Sequence, residues 1–162
     1  MNRRHALMAG LAMACAPRLA LAQTRWELGQ RVALPPLELL DGSQVDWKGL
    51  QGKVIVLEFW GSWCPFCARQ NPLLDAFYKE NRHRGLEVIT ISLDKTKQAA
   101  IDYMKKGGYA FKAGMATSQW NMIYQQRKGL PQLFVIDRQA RLVMIEVREV
   151  MEDDIRDISH YL

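Results

Sequence analysis

Two cysteines stand three residues apart in the run Trp63-Cys64-Pro65-Phe66-Cys67, and they are the side chains of this chain with the strongest capacity for chemistry. Proline suits the first turn of a helix, so the Cys64-Pro65 step predicts a helix beginning there. At such a terminus unpaired backbone N–H groups and the positive end of the helix dipole favour a thiolate over a thiol. Cysteines in that setting titrate at roughly 3.5–7.5 instead of about 8.5, which makes Cys64 a nucleophile near neutral pH. Residues at i and i+3 of a helix share a face, so Cys64 and Cys67 can close a disulfide or stand open as a dithiol. Cys67, one turn deeper, is the expected resolving thiol. Attack by Cys64 on a disulfide gives a mixed disulfide, which Cys67 then breaks.

The same spacing also suits half of a zinc site or a structural bridge. Zinc would need further ligands, and His83 and His160 read as surface residues near helix ends. A bridge closing so short a loop would constrain the unfolded chain little. A Cu(I)-binding module using both cysteines, helped by a methionine such as Met115 or Met122, is the rival from a different class. Methionines so spaced equally serve as core filler.

The elements that must hold the pair are legible on either side of it. Val54-Ile55-Val56-Leu57-Glu58-Phe59-Trp60 is a nearly continuous apolar run, as expected of a strand covered on both faces. It carries one acid, Glu58, in its middle. The helix from Cys64-Pro65 should run to about Arg82 with an apolar stripe at Leu74, Phe77 and Tyr78, kinked at Pro72. Leu86 to Ser92 reads as a second buried strand, parallel to the first through a crossover. Helices are expected near 96–105 and 118–126, and two antiparallel strands at 132–137 and 142–148. A terminal helix from about Glu152 has acids in its first turn, where the dipole favours them. Upstream, Asp41-Gly42-Ser43 between apolar runs predicts an N-terminal hairpin. The sum is an α/β fold, a mixed sheet with helices on both faces.

Residues 1–22 read differently. Arg3 and Arg4, an apolar stretch from Ala6 to Ala16 and the exit Ala20-Leu21-Ala22 form the pattern of a secretory signal cut before Gln23. Pro17 and Arg18 leave the stretch short of the roughly 20 residues that span a bilayer, so an uncleaved membrane anchor is the minor reading. Another makes Cys15 a lipid attachment point. With the signal removed, residues 23–162 form one expected domain holding only the Cys64–Cys67 pair, which in an exported protein suggests a redox device. Loss of Arg3, Arg4 and Arg18 lowers the formal charge of +5 to +2. The remaining basic residues are interspersed with acids, an arrangement that argues against nucleic acid as a partner.

With these residues in view, Glu58-Phe59-Trp60-Gly61-Ser62-Trp63-Cys64-Pro65-Phe66-Cys67 resembles the active-site stretch of the thioredoxin superfamily, in particular its exported TlpA/ResA-like branch. Pro72 matches the family's helix kink. Gly129-Leu130-Pro131 before Gln132-Leu133-Phe134-Val135-Ile136-Asp137 is similar to the family's cis-proline loop and following strand. The hairpin and Gly52-Lys53 resemble the TlpA/ResA branch, and the likeness runs from about Leu28 to the C-terminus.

The resemblance implies a thioredoxin-like fold, a substrate surface formed by Trp63, Pro65, Phe66, Leu130 and a cis Pro131, and a buried acid, Glu58, beneath the cysteines. Burial should raise the Glu58 pKa towards values suited to proton exchange with Cys67; a glutamate reaching solvent at a bulge is the alternative. The sequence departs from thioredoxin at Pro65-Phe66, where thioredoxin has Gly-Pro, and at Ala140, where the family often has glycine. The expected function is reduction of disulfides in exported proteins, in a class that serves cytochrome maturation or similar thiol targets. A thiol oxidase or isomerase would use the same residues, and a peroxidase fits less well. Expected partners are protein thiols and disulfides and a membrane electron donor. The chain is expected to be a periplasmic or secreted monomer without a cofactor or metal.

Overall fold

The computed structural model describes residues 25–162; the expected signal and Cys15 lie outside the described residues. The central strand is β1, Val54–Trp60, all seven residues of which are buried. It pairs in parallel with β2, Leu86–Ser92, and antiparallel with β4, Gln132–Ile136. The edges are β3, Lys112–Met115, and β5, Leu142–Glu146, giving the order β3-β2-β1-β4-β5. Residues alternate across a strand, so β1 feeds two cores at once. Ile55, Leu57 and Phe59 face Trp120 and Ile123 of helix α3, Ser118–Tyr124, together with Trp26 and Leu37. Val54 and Val56 face the other way, onto Leu74 and Phe77 of α1, Pro65–Asn81, and Ile155 of α4, Glu152–Asp157. Helix α2, Lys97–Gly107, covers the same side further along, with Ala100 against Trp60.

The expected elements are in place, with differences that have local causes. Thr96 caps α2, its hydroxyl accepting from the Ala99 N–H, and Gly108 at φ 63° ends it. Strand β3 was not anticipated, because Lys-Ala-Gly-Met lacks β-branched residues. It forms at the edge of β2, and the chain at Leu37–Leu40 lies across it. Leu40 N–H donates to Ala113 O at 2.8 Å, and a Cβ on Gly114 would stand 2.5 Å from Glu38 O. The hairpin expected around Asp41-Gly42-Ser43 is correspondingly short. Its turn closes through Leu39 N–H to Ser43 O, but flanking pairing amounts to the single bridge Glu38–Gln44, since Leu39 bridges to Gly114. Helix α3 stops two residues early, where the Gln132 side chain takes up the carbonyls of Tyr124 and Arg127. Helix α4 is likewise short and continues as a 3-10 turn, Ile158–Tyr161. Ala140 adopts φ 60° in the β4–β5 turn, a left-handed conformation that favours glycine. No helix among the described residues is long and apolar enough to cross a membrane.

Candidate functional site

Cys64 is the N-cap of α1, in extended conformation at φ −91° and ψ 111°, with Pro65 following in the first turn. Cys64 and Cys67 are joined as a disulfide with Cα atoms 5.3 Å apart. The Cys67 N–H points back at the Cys64 sulfur, 3.2 Å away. A free backbone donor aimed at a sulfur is the arrangement that stabilises a thiolate there once the bond opens. Both cysteines are buried, in a cluster with Trp60, Ala100 and Ala113 against which Leu130, Tyr103 and Met115 pack. Met122 stands apart from that cluster, 45% exposed. Among the described residues, His83 and the strongly exposed His160 do not approach the cysteines, and no group of three or more His, Cys, Asp and Glu side chains gathers to hold a metal.

The loop delivering Cys64 is held from β2. Asp94 accepts from the Ser62 hydroxyl at 2.7 Å and backbone N–H at 3.2 Å, and from Ser92 Oγ at 2.8 Å. Leu93 N–H adds a bond to Trp60 O at 2.8 Å. Trp63 then lies back over Gly61, so closely that a Cβ on residue 61 would stand 2.7 Å from the indole. Trp63 is 64% exposed and Phe66 49%, an apolar rim around a buried disulfide. Arg69 sits over the Phe66 ring at 4.8 Å and is forked onto Glu149 at 2.6 and 2.7 Å. Across from them the Leu130-Pro131 peptide is cis, preceded by Gly129 at φ 113°. Gln132 Nε2 faces the carbonyls of Tyr124, Arg127 and Gly129 at 3.1–3.2 Å, fixing the loop that ends in Leu130.

Beneath the pair, Glu58 is buried. Strand β1 pairs in unbroken register on both sides of it, so the alternative of a bulge reaching solvent does not hold. Burial pushes its pKa up to about 8, opposed by a hydrogen bond from Gln70. Gln70 Nε2 donates to Glu58 Oε1 at 2.8 Å, while Gln70 Oε1 accepts from Val150 N–H at 2.7 Å. Asn71 completes the clasp. Its Nδ2 donates to the Tyr103 hydroxyl at 3.1 Å; with the amide turned over, Nδ2 would instead donate to Glu58 Oε1 and Oε2 at 2.9 and 3.0 Å and to Cys67 O at 3.1 Å, and Oδ1 would accept from Tyr103. Asn71 therefore touches both the acid and the backbone of the deeper cysteine.

The Redoxin family model matches residues 27–162. The chain belongs to the Redoxin family. It is 27% identical over 126 residues to thiol-disulfide oxidoreductase ResA of Bacillus subtilis, spanning 78% of this chain and 70% of the relative. With the ResA of Bacillus thuringiensis it shares 29% over 104 residues, 64% of this chain and 60% of the relative's length. Among solved structures, a thiol:disulfide interchange protein of the thioredoxin family from Chlorobium tepidum superposes with a TM-score of 0.70 at 23% identity, covering 80% of this chain and 97% of that one. A DsbF homologue from Corynebacterium diphtheriae gives 0.73 at 22%, covering 83% and 87%. The fold is thioredoxin-like.

This Redoxin-family chain, with its closed Cys64–Cys67 pair at a helix tip, is a redox enzyme of the thiol-disulfide kind. The structure brings together Cys64, Cys67 and Leu130, puts the Asn71 amide beside both Glu58 and Cys67 O, leaves Trp63, Pro65 and Phe66 open at the helix start, and buries Pro131, which was expected at the surface. Sequence reasoning missed Gln70, Asn71, Tyr103, Asp94 and Gln132. A signal existed for the first two: they fall between Cys67 and Leu74 on the helical stripe that continues through Phe77 and Tyr78.

Proposed function

We propose that this enzyme reduces disulfides of exported proteins, with Cys64 as nucleophile, Cys67 as resolving thiol and Glu58 as the group that takes up the Cys67 proton. The observation that carries the reading is a buried carboxyl tied through Asn71 to Cys67, below a disulfide rimmed by exposed Trp63 and Phe66. In the reduced enzyme, Cys64 thiolate attacks one sulfur of the substrate disulfide, and the other substrate sulfur leaves as a thiolate. The Glu58 carboxylate accepts the Cys67 proton, and Cys67 sulfur attacks Cys64 Sγ, expelling the second substrate thiolate. Two electrons have then passed to the substrate, and the Cys64–Cys67 disulfide remains. A membrane-bound dithiol donor returns the electrons by the reverse exchange. Trp63, Pro65, Phe66 and Leu130 form the surface that receives an extended substrate segment, with the buried cis Pro131 holding Leu130 in place behind it. The leader at residues 1–22 supports export to the periplasm or beyond, followed by action as a monomer on thiol targets such as those of cytochrome maturation.

Trapping with Cys67→Ala tests the reading. The variant should stall at the mixed disulfide and retain an exported protein on Cys64, whereas Cys64→Ala retains nothing and loses insulin-disulfide reduction. Capture that is equal in both variants would count against it. Direction is read from the dithiol equilibrium: a potential well below about −200 mV supports the reductase, and one near −120 mV an oxidase using the same residues.

A further inference from the structure

A carboxylate needs hydrogen-bond donors, while a carboxylic acid also needs an acceptor for its own O–H. Glu58 is buried away from water, so both demands fall on its neighbours. Gln70 meets only the first, because its Oε1 is committed to Val150 N–H at 2.7 Å and its Nε2 must face Glu58. Asn71 is different. In one orientation its Nδ2 reaches both carboxyl oxygens and Cys67 O, and Oδ1 accepts from Tyr103. Turned end for end, Nδ2 donates to the Tyr103 oxygen at 3.1 Å and Oδ1 takes the position facing Glu58.

We infer that Asn71 and Tyr103 are a two-way hydrogen-bonding pair that lets Glu58 change protonation state in place, Asn71 turning its amide over while the Tyr103 hydroxyl switches between donor and acceptor. The proposal deepens the reading of Glu58 as the proton-handling group and rests on it. Only a hydroxyl can serve both amide orientations, since it rotates and offers a proton and lone pairs at one atom. Tyr103 is held for the task, its ring 4.6 Å from that of Trp60. Burial keeps its hydroxyl above the ordinary tyrosine range, hence protonated, with Tyr109 beside it. The strand neighbours of Glu58 are Thr90 of β2 and Leu133 of β4, both without charge, and from α1 the Asn71 amide beside it also reaches Cys67 O. Asn71 is thus a positioning residue: its donor orientation goes with the carboxylate and a bond to Cys67 O, its acceptor orientation with the acid.

The test is a pH titration of the full-length oxidised protein by NMR, following the Glu58 carboxyl carbon and the Asn71 side-chain amide. The Asn71 amide protons should titrate with the Glu58 midpoint, lying near the Tyr103 ring at low pH and near Cys67 at high pH. Asn71→Leu removes two donors to the carboxylate and one acceptor for the acid; because bonds to the charged form are about twice as strong, the Glu58 midpoint should rise by about one pH unit. Loosened packing that admits water would lower it instead. In Tyr103→Phe the low-pH contact between the Asn71 amide and the residue 103 ring should be lost. An amide that keeps one set of neighbours throughout, or a midpoint that stays or falls in Asn71→Leu, overturns the proposal. Should Asn71→Leu not fold, the wild-type amide titration decides alone. Normal turnover in Glu58→Gln would count against the proton-transfer reading only, because the midpoint is read without catalysis.

Discussion

At the scale of single residues, Glu58 makes the sharpest demands. With a pKa pushed to about 8, it is mostly protonated at neutral pH and gains its base form as pH rises. The resolving step should therefore quicken through pH about 8 in single-turnover assays of mixed-disulfide resolution. Glu58→Gln should lose that limb and slow the step by roughly 100-fold or more, the ordinary worth of a positioned base. Asp94 is tested differently, since it holds the loop before Cys64 by accepting from Ser62 and Ser92. Asp94→Ala leaves those donors short of a partner and should cost about 1–3 kcal/mol in denaturant unfolding. Asp94 carried no sign of its role in the sequence, whereas Gln70 and Asn71 read as polar surface only until the helix is rolled onto the stripe from Cys67 to Leu74.

At the scale of elements, what was legible followed from how continuous each pattern is. Strands β1 and β2 are mostly apolar, β-branched runs, and α1 carries its own start signal at Cys64-Pro65, so their places follow from local pattern alone. Strand β3 has no such pattern. Its conformation is imposed by β2 on one side and by the chain at Leu37–Leu40 crossing Gly114 on the other. Gly114→Val should accordingly push Glu38 away, since the added Cβ meets that backbone at 2.5 Å; hydrogen exchange should show the Leu40 amide losing protection. The β4–β5 turn offers the opposite case. Ala140→Gly relieves a left-handed alanine and should raise stability by under about 1 kcal/mol, read from the urea midpoint.

For the whole molecule, the buried acid links stability to pH. Glu58 titrates near its ordinary 4.5 in the unfolded chain and near 8 in the native one, so between those values the native state binds more protons. Stability should then fall as pH rises through that window, by about 1.4 kcal/mol for each pH unit at most. Glu58→Gln should flatten this dependence in urea titrations at pH 5 and pH 8, and a wild-type slope that survives the substitution would assign it elsewhere.

The bond from Val150 N–H to Gln70 spans the molecule's chain order, since one of the two amides holding Glu58 is itself held by the segment leading into α4. The carboxyl-terminal tail is therefore part of the acid's environment although it contributes no reacting atom. A nick or truncation before residue 150 would free Gln70 to rotate, and damage at the far end of the polypeptide would register as altered acidity under the sulfurs.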